Sequence, residues 1–159
     1  MRQIYVKAIY NNHKRLLTMK KILTIACLLA SMFLASCKKD EVSSEMKFGA
    51  SLWGAEEVPA VTSAATGNFD ATYNKETKVL SYTITYTGIT PTAWHIHKGA
   101  QGVTGPVNIN FGSTFTSPFT GTATLTADQE TDLMNKLYYV NIHSAKNPSG
   151  EIRGQLLQK

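Results

Sequence analysis

The sequence predicts an all-β domain, an antiparallel β-sandwich or Greek-key barrel carrying one short helix. Three observations point there. Residues 46–159 are rich in Thr, Val, Ile, Tyr and Phe, with turn residues at short intervals, as in short strands joined by tight connections. Residues 78–87 alternate strictly, with Leu80, Tyr82, Ile84 and Tyr86 on one face and Ser81, Thr83, Thr85 and Thr87 on the other. A period of two with one polar face belongs to an antiparallel sheet that is wet on one side. A helix-start signature stands out at Thr126-Ala127-Asp128-Gln129, in the form of a capping box.

The chain order begins with a leader. Residues 1–18 are mixed and basic. At Met19 a second start appears: Lys20-Lys21, an apolar run over 22–34, then Leu34-Ala35-Ser36-Cys37. A positive segment, a short apolar segment and small residues form a secretory signal peptide, which makes Met19 the expected initiator. The run is too short to span a bilayer of ~30 Å as a helix. Leu34-Ala35-Ser36-Cys37 resembles the lipobox of bacterial lipoproteins. That resemblance implies cleavage before Cys37, a thioether-linked diacylglycerol on its sulfur and an acylated amino group, palmitate being the usual chain. Two or more acyl chains anchor a protein stably. Residue 38 is Lys and not the Asp that marks inner-membrane retention. Lys38-Lys39-Asp40-Glu41 resembles the charged signals that carry lipoproteins to the outer face of the outer membrane. The expected organisation is a leader at 1–36, a lipidated Cys37 with a tether at 37–45, and a β domain at 46–159.

Processing changes the charge. The whole chain carries 16 basic and 11 acidic residues, net +5. Six of the basic residues precede Cys37, so the mature chain is close to neutral and slightly acidic. The positive excess belongs to the leader and gives no argument for nucleic acid. Cys27 leaves with the leader and Cys37 is consumed by lipid, so the exported domain holds together by burial without a disulfide.

Within the domain, residues 46–53 alternate as a strand with Met46, Phe48, Ala50 and Leu52 on one face, and Gly54 to Pro59 breaks it. Residues 65–73 form a second strand, with Phe69, Ala71 and Tyr73 on one face. Asn74-Lys75-Glu76-Thr77 is the hairpin turn into the strand at 78–87. After Gly88-Ile89-Thr90-Pro91 comes Ala93-Trp94-His95-Ile96-His97-Lys98. In a strand His95 and His97 share one face, Trp94 and Ile96 the other. The glycine-rich loop over 99–106 lacks the Gly-Lys-Ser/Thr of a phosphate loop. Residues 107–111 are a short strand with Val107, Ile109 and Phe111 aligned, and another strand is expected around 121–125. The helix after Thr126 presents Leu133, Met134 and Leu137. Strands at 138–144 and 150–157 close the domain.

Together these pieces identify a family. Leu52 with Glu57-Val58-Pro59, Trp94-His95-Ile96-His97-Lys98-Gly99, Gly102-Val103-Thr104-Gly105-Pro106-Val107, Tyr139-Val140-Asn141-Ile142-His143-Ser144 and Gly150-Glu151-Ile152-Arg153-Gly154-Gln155 occur in order, and the chain resembles the CHRD domain of chordin and many microbial secreted proteins. The resemblance covers residues 47–157. It implies an immunoglobulin-like sandwich or barrel, and it defines no biochemical activity. The family has Ala where Trp94 stands, so the local pocket is expected to differ here.

The candidate site lies in the two histidine-bearing strands. His95, His97 and His143 are all the histidines outside the leader. One reading places them on a polar face, hydrogen-bonded with Asn141, Glu151 and Arg153 in a structural network. This reading is preferred. The alternative is a three-His site for zinc or copper, since imidazoles two residues apart on a strand can converge on one ion at ~2.0–2.1 Å. Part of the pattern resembles copper/zinc superoxide dismutase, but too few histidines survive for its second subsite. Catalysis has no other support: no cysteine nucleophile survives, no Ser sits in a Gly-x-Ser-x-Gly elbow, and the adjacent Glu56 and Glu57 face opposite ways on a strand. The expected function is therefore a non-enzymatic, cofactor-free binding or structural module at the cell envelope. Its membrane contact is through Cys37, and its partner is an extracellular protein, peptide or glycan. Trp53, Trp94, Tyr138 and Tyr139 are available to stack on sugars, although aromatic residues in such folds mostly pack inside.

Overall fold

A computed structural model describes residues 44–159. The leader, Cys37 and nearly all of the tether lie outside the described residues. The described chain is all-β apart from one short helix, as its alternation requires. Its strands are β1 (Glu45–Trp53), β2 (Thr66–Asn74), β3 (Val79–Thr87), β4 (Pro91–Lys98), β5 (Val107–Asn110), β6 (Phe119–Thr124), β7 (Tyr138–Ser144), β8 (Ile152–Gln155) and β9 (Leu157–Gln158). The helix, α1, is Ala127–Met134, and a 3-10 turn over Gly54–Glu56 follows β1.

All strands join one sheet in the order β5-β4-β7-β8-β1-β2-β3-β6, every pair antiparallel, with β9 beside β1. The sheet curls until its two ends face each other across the core. Trp94 of β4 lies 4.9 Å from Phe119 of β6, and Phe111, just past β5, lies 4.9 Å from Tyr82 of β3. The result is a nearly closed barrel, with β5 and β6 as its edges. Period-two patterning does this work. Phe48 and Leu52, then Phe69 and Tyr73, then Leu80 and Ile84, then Trp94 and Ile96 all point inward and are buried. Removing each such side chain from water stabilises the fold by ~1.5–3 kcal/mol. Trp94 is wholly buried, and its indole N–H donates to the Gly112 carbonyl at 3.1 Å, so it carries no unsatisfied donor into the core.

Three elements depart from the expected boundaries. β5 ends at Asn110, and Val107 is half exposed while Phe111 is buried. A register shift opposite Ile96 and His97 breaks the alternation there, as edge strands tolerate. The final strand is divided at Leu156, which turns into the core, so β8 pairs with β7 while β9 pairs with β1. Leu137 lies beyond the helix, which ends at Met134 before Lys136 takes a positive φ of 59°. The capping box is complete: Gln129 N–H donates to Thr126 Oγ1 at 3.2 Å, and Thr126 N–H donates to Gln129 Oε1 at 2.9 Å.

What positions the site is β7. All seven of its residues are buried. Tyr138, Val140 and Ile142 join the core, so Tyr139, Asn141 and His143 point to the opposite, outer face. That face is roofed by the glycine-rich loop over 99–106, by the segment after β1, and by the turn over 147–150.

Candidate metal centre

The outer face of β4, β7 and β8 is a lattice of matched rows. Cα register sets His95 opposite Asn141 and Asn141 opposite Arg153. It likewise sets His97 opposite Tyr139 and Tyr139 opposite Gln155. His143 pairs with Ala93 and is therefore diagonal to His95. The three imidazoles form a triangle, with ring centroids 5.5 Å (His95–His97), 5.2 Å (His95–His143) and 5.8 Å (His97–His143) apart. One nitrogen from each ring lies within 4.8 Å of the others.

Two backbone carbonyls fix which nitrogens face inward. His97 Nδ1 lies 2.9 Å from the Gly105 oxygen and His143 Nδ1 lies 3.0 Å from the Pro148 oxygen. A carbonyl only accepts, so each Nδ1 carries the proton and each Nε2 keeps a bare lone pair. His97 Nε2 is buried and has no partner. His143 Nε2 lies 3.3 Å from His95 Nδ1. Two nitrogens on a tetrahedral ion at ~2.0–2.1 Å are about 3.3–3.4 Å apart, so this pair already has the spacing of a coordination edge. A histidine held by a carbonyl on its far nitrogen is also how ligating imidazoles are oriented. The residues present therefore fit a cation bound by three neutral nitrogens, with a position left open.

The electrostatics keep the rings neutral. Burial pushes the pKa of all three below the usual imidazole value. His95 is pushed further by His143 and His97, and His97 by Arg153. The carbonyl bonds of His97 and His143 act in the other direction. Neutral imidazole is the ligating form. Access comes at the β4–β5 edge. A cleft of about 570 Å³ opens there on His95, walled by Thr92, Asn110, Gly112 and Phe115. Trp94 points away from the rings, yet it shapes this cleft from behind through Gly112 and an edge contact with Phe115 at 5.4 Å.

The glycine-rich loop is a clamp on this site. Arg153 Nη2 donates to the Val103 carbonyl at 2.9 Å, and Gly105 N–H donates to Tyr139 Oη at 3.1 Å. Tyr139 stacks on His97 at 5.0 Å and 8°, and the Arg153 guanidinium caps its other face at 3.5 Å. A Cβ at Gly105 would lie 1.7 Å from the Lys98 oxygen, which is why glycine stands where the loop meets β4.

The expected polar network forms differently. Arg153 serves the loop and Tyr139. Glu151 accepts from Ser63 Oγ at 2.7 Å and from Ser144 Oγ, so it ties the segment before β2 to the end of β7 and bonds neither the histidines nor Arg153. The ladder's end explains this: Glu151 lies past the last β7–β8 pair, Ile142 with Ile152, where its side chain meets Ser144 at the end of β7 and Ser63 in the loop before β2. Asn141 donates from Nδ2 to Glu57 Oε2 at 3.4 Å, a partner that sequence reasoning passed over. Glu57 is buried while Glu56 is exposed, the opposite facing expected of adjacent residues. Its pKa is pushed up to about 7, by burial above all, against the opposing pull of Arg153 and Asn141. The signal available for Glu57 was its place in the Glu57-Val58-Pro59 piece. Of the four aromatic residues weighed for stacking, Trp94, Tyr138 and Tyr139 are buried, and Trp53 is 49% exposed.

Comparison with known proteins agrees with this architecture. No curated protein and no solved structure matches the chain. The profile described as CHRD domain matches residues 48–156, from β1 through Leu156, and so includes every residue of the histidine triangle and its clamp. The chain belongs to the CHRD domain family.

Proposed function

We propose that this protein is an exported, lipid-anchored CHRD module that binds one zinc or copper ion through His95 Nδ1, His97 Nε2 and His143 Nε2. One observation carries the reading: a buried, bare His97 Nε2 is aimed into a triangle whose other members are already at coordination spacing. Leaving a buried acceptor unpaired costs ~1–3 kcal/mol, and a cation removes that penalty. The role is binding rather than turnover. The lipobox-like Leu34-Ala35-Ser36-Cys37 supports anchoring through Cys37, and Lys38-Lys39-Asp40-Glu41 supports placement on the outer membrane, facing outward.

The test is metal content and affinity. Full-length protein, purified in detergent without chelator, is analysed for elements and then titrated with zinc and with copper against a chromophoric chelator. About one ion per chain is expected, with affinity reduced at least roughly 100-fold in His97→Ala. Substoichiometric metal that is insensitive to His97→Ala overturns the proposal.

A further inference from the structure

A second site lies on the other side of β8. β1 pairs with β8 only at Trp53 and with β9 only at Phe48 and Gly49, so Ala50, Ser51 and Leu52 have no ladder partner on that side. A cleft of about 420 Å³ occupies this interruption, lined by Trp53, Glu56, Asn68, Gln101, Gln155 and Leu157. Its volume is that of a small-molecule pocket, ~300–1,000 Å³. It shares no lining residue with the cleft that opens on His95.

Three features define what fits. Trp53 is the larger of the two exposed apolar side chains lining the cleft and offers a ring face beside polar groups; Leu157 is the other. The polar groups are arranged in advance. Gln155 Nε2 donates to the carbonyls of Gly99 at 3.1 Å and Lys136 at 2.7 Å, which pins the amide and leaves its buried Oε1 without a partner. Ser51 Oγ donates to Asn68 Oδ1 at 3.4 Å, turning the Asn68 NH₂ outward as a donor. The cleft also lacks a free cation among its described residues, because Lys159 is paired with Asp70. Glu56 leaves the lining slightly acidic.

We infer that this cleft binds a neutral carbohydrate, with one sugar ring stacked on Trp53 and its hydroxyls bonded to the exposed amide of Asn68 and the carboxylate of Glu56. A hydroxyl that both donates and accepts suits a carboxylate acceptor beside a donor amide, and the apolar face of a pyranose suits the indole. Anionic sugars are disfavoured by Glu56. The open β1 edge at Ala50–Leu52 is only three residues long, a short register for an added peptide strand, and the lining supplies no run of apolar pockets.

The chain has only two tryptophans, and Trp94 is wholly buried, so a change in emission on binding reports Trp53. Full-length protein in detergent is titrated with cellohexaose, maltohexaose, laminarihexaose and mannohexaose, with polygalacturonate and a Trp-free peptide library as contrasts, by fluorescence and calorimetry. At least one neutral hexaose is expected to shift the emission to shorter wavelength. Affinity should fall about tenfold or more in Trp53→Ala, partly recover in Trp53→Phe, and weaken in Asn68→Leu. Excess EDTA should leave it unchanged, which separates this site from the metal centre. Absence of any hexaose response, binding that survives Trp53→Ala intact, or a response to the peptides or polygalacturonate alone overturns the inference.

Discussion

His97→Phe separates the cost of the metal centre from its use. In the metal-free protein the substitution keeps an aromatic ring stacked on Tyr139, where the rings are 5.0 Å apart and 8° from parallel. It deletes one hydrogen bond, from Nδ1 to the Gly105 carbonyl at 2.9 Å, worth ~0.5–1.5 kcal/mol. That carbonyl is not orphaned, since Tyr139 Oη approaches it at 3.4 Å. The substitution also deletes the buried, unpartnered Nε2, whose desolvation costs ~1–3 kcal/mol. The net expectation is a change between about −0.5 and +2.5 kcal/mol, raising the melting temperature by up to roughly 10 °C. With metal the order reverses. An ion at 100 times its dissociation constant stabilises the wild type by ~2.7 kcal/mol, roughly 10 °C, and leaves His97→Phe nearly unmoved. Calorimetric melts in EDTA and in excess zinc read both arms. A metal-free variant destabilised by more than about 1 kcal/mol, or one that retains the full zinc shift, refutes the reasoning.

Glu57 contributes a pH dependence of opposite sign to that of a paired or strongly hydrogen-bonded carboxylate. Its folded pKa, about 7, lies above the ordinary carboxylate value of 4.5, so the folded chain holds the extra proton and the contribution to stability falls as pH rises between those values. Glu57→Gln should therefore gain over the wild type by on the order of 3 kcal/mol at pH 8 relative to pH 4, read from urea midpoints across pH; parallel curves would exclude this. Glu151 behaves conversely, its pKa lowered chiefly by the Ser144 hydroxyl. Its stabilisation is present above about 4.5 and is lost as pH falls through the lowered value, and Glu151→Ala at pH 7 should cost ~2–3 kcal/mol in chemical denaturation. For the anchor, radiolabelled palmitate should enter the wild type and not Cys37→Ala, and equal labelling of the two would remove the lipid from the proposal.

The barrel was legible because its core obeys a period of two. Leu80, Tyr82 and Ile84, or Phe69, Ala71 and Tyr73, cannot be shifted by one residue without exposing every apolar group. The same rule placed Trp94 and Ile96 inside and His95 and His97 outside. It failed at β5, where an edge strand takes a register shift that no local pattern encodes, and at Leu156, where the chain changes partner strands. Triangulation of His143 was only half legible. Its face follows from alternation, but its diagonal offset from His95 depends on the pairing register of β4 with β7, across a sequence separation of 48 residues. The carbonyls of Gly105 and Pro148 were invisible, because a backbone acceptor has no residue signature. The partners of Glu151 are equally illegible, since Ser63 lies in a loop and Ser144 at the end of β7, both beyond the β7–β8 ladder.

Those carbonyls give the strongest argument that the outer face is built for a ligand. A strand such as β7, buried on both sides, is most simply stabilised by apolar residues on both. This one carries Tyr139, Asn141 and His143 outward, beneath a loop that contains three glycines and is held down by Arg153. The arrangement leaves Asn141 Oδ1, Glu57 Oε1 and His97 Nε2 buried without partners. An apolar roof over the same strand would carry none of those penalties, each ~1–3 kcal/mol. A fold retains such a deficit where function draws on it. The His97 part of it disappears when a cation arrives, which makes metal-dependent stabilisation the property through which this face should first declare its role.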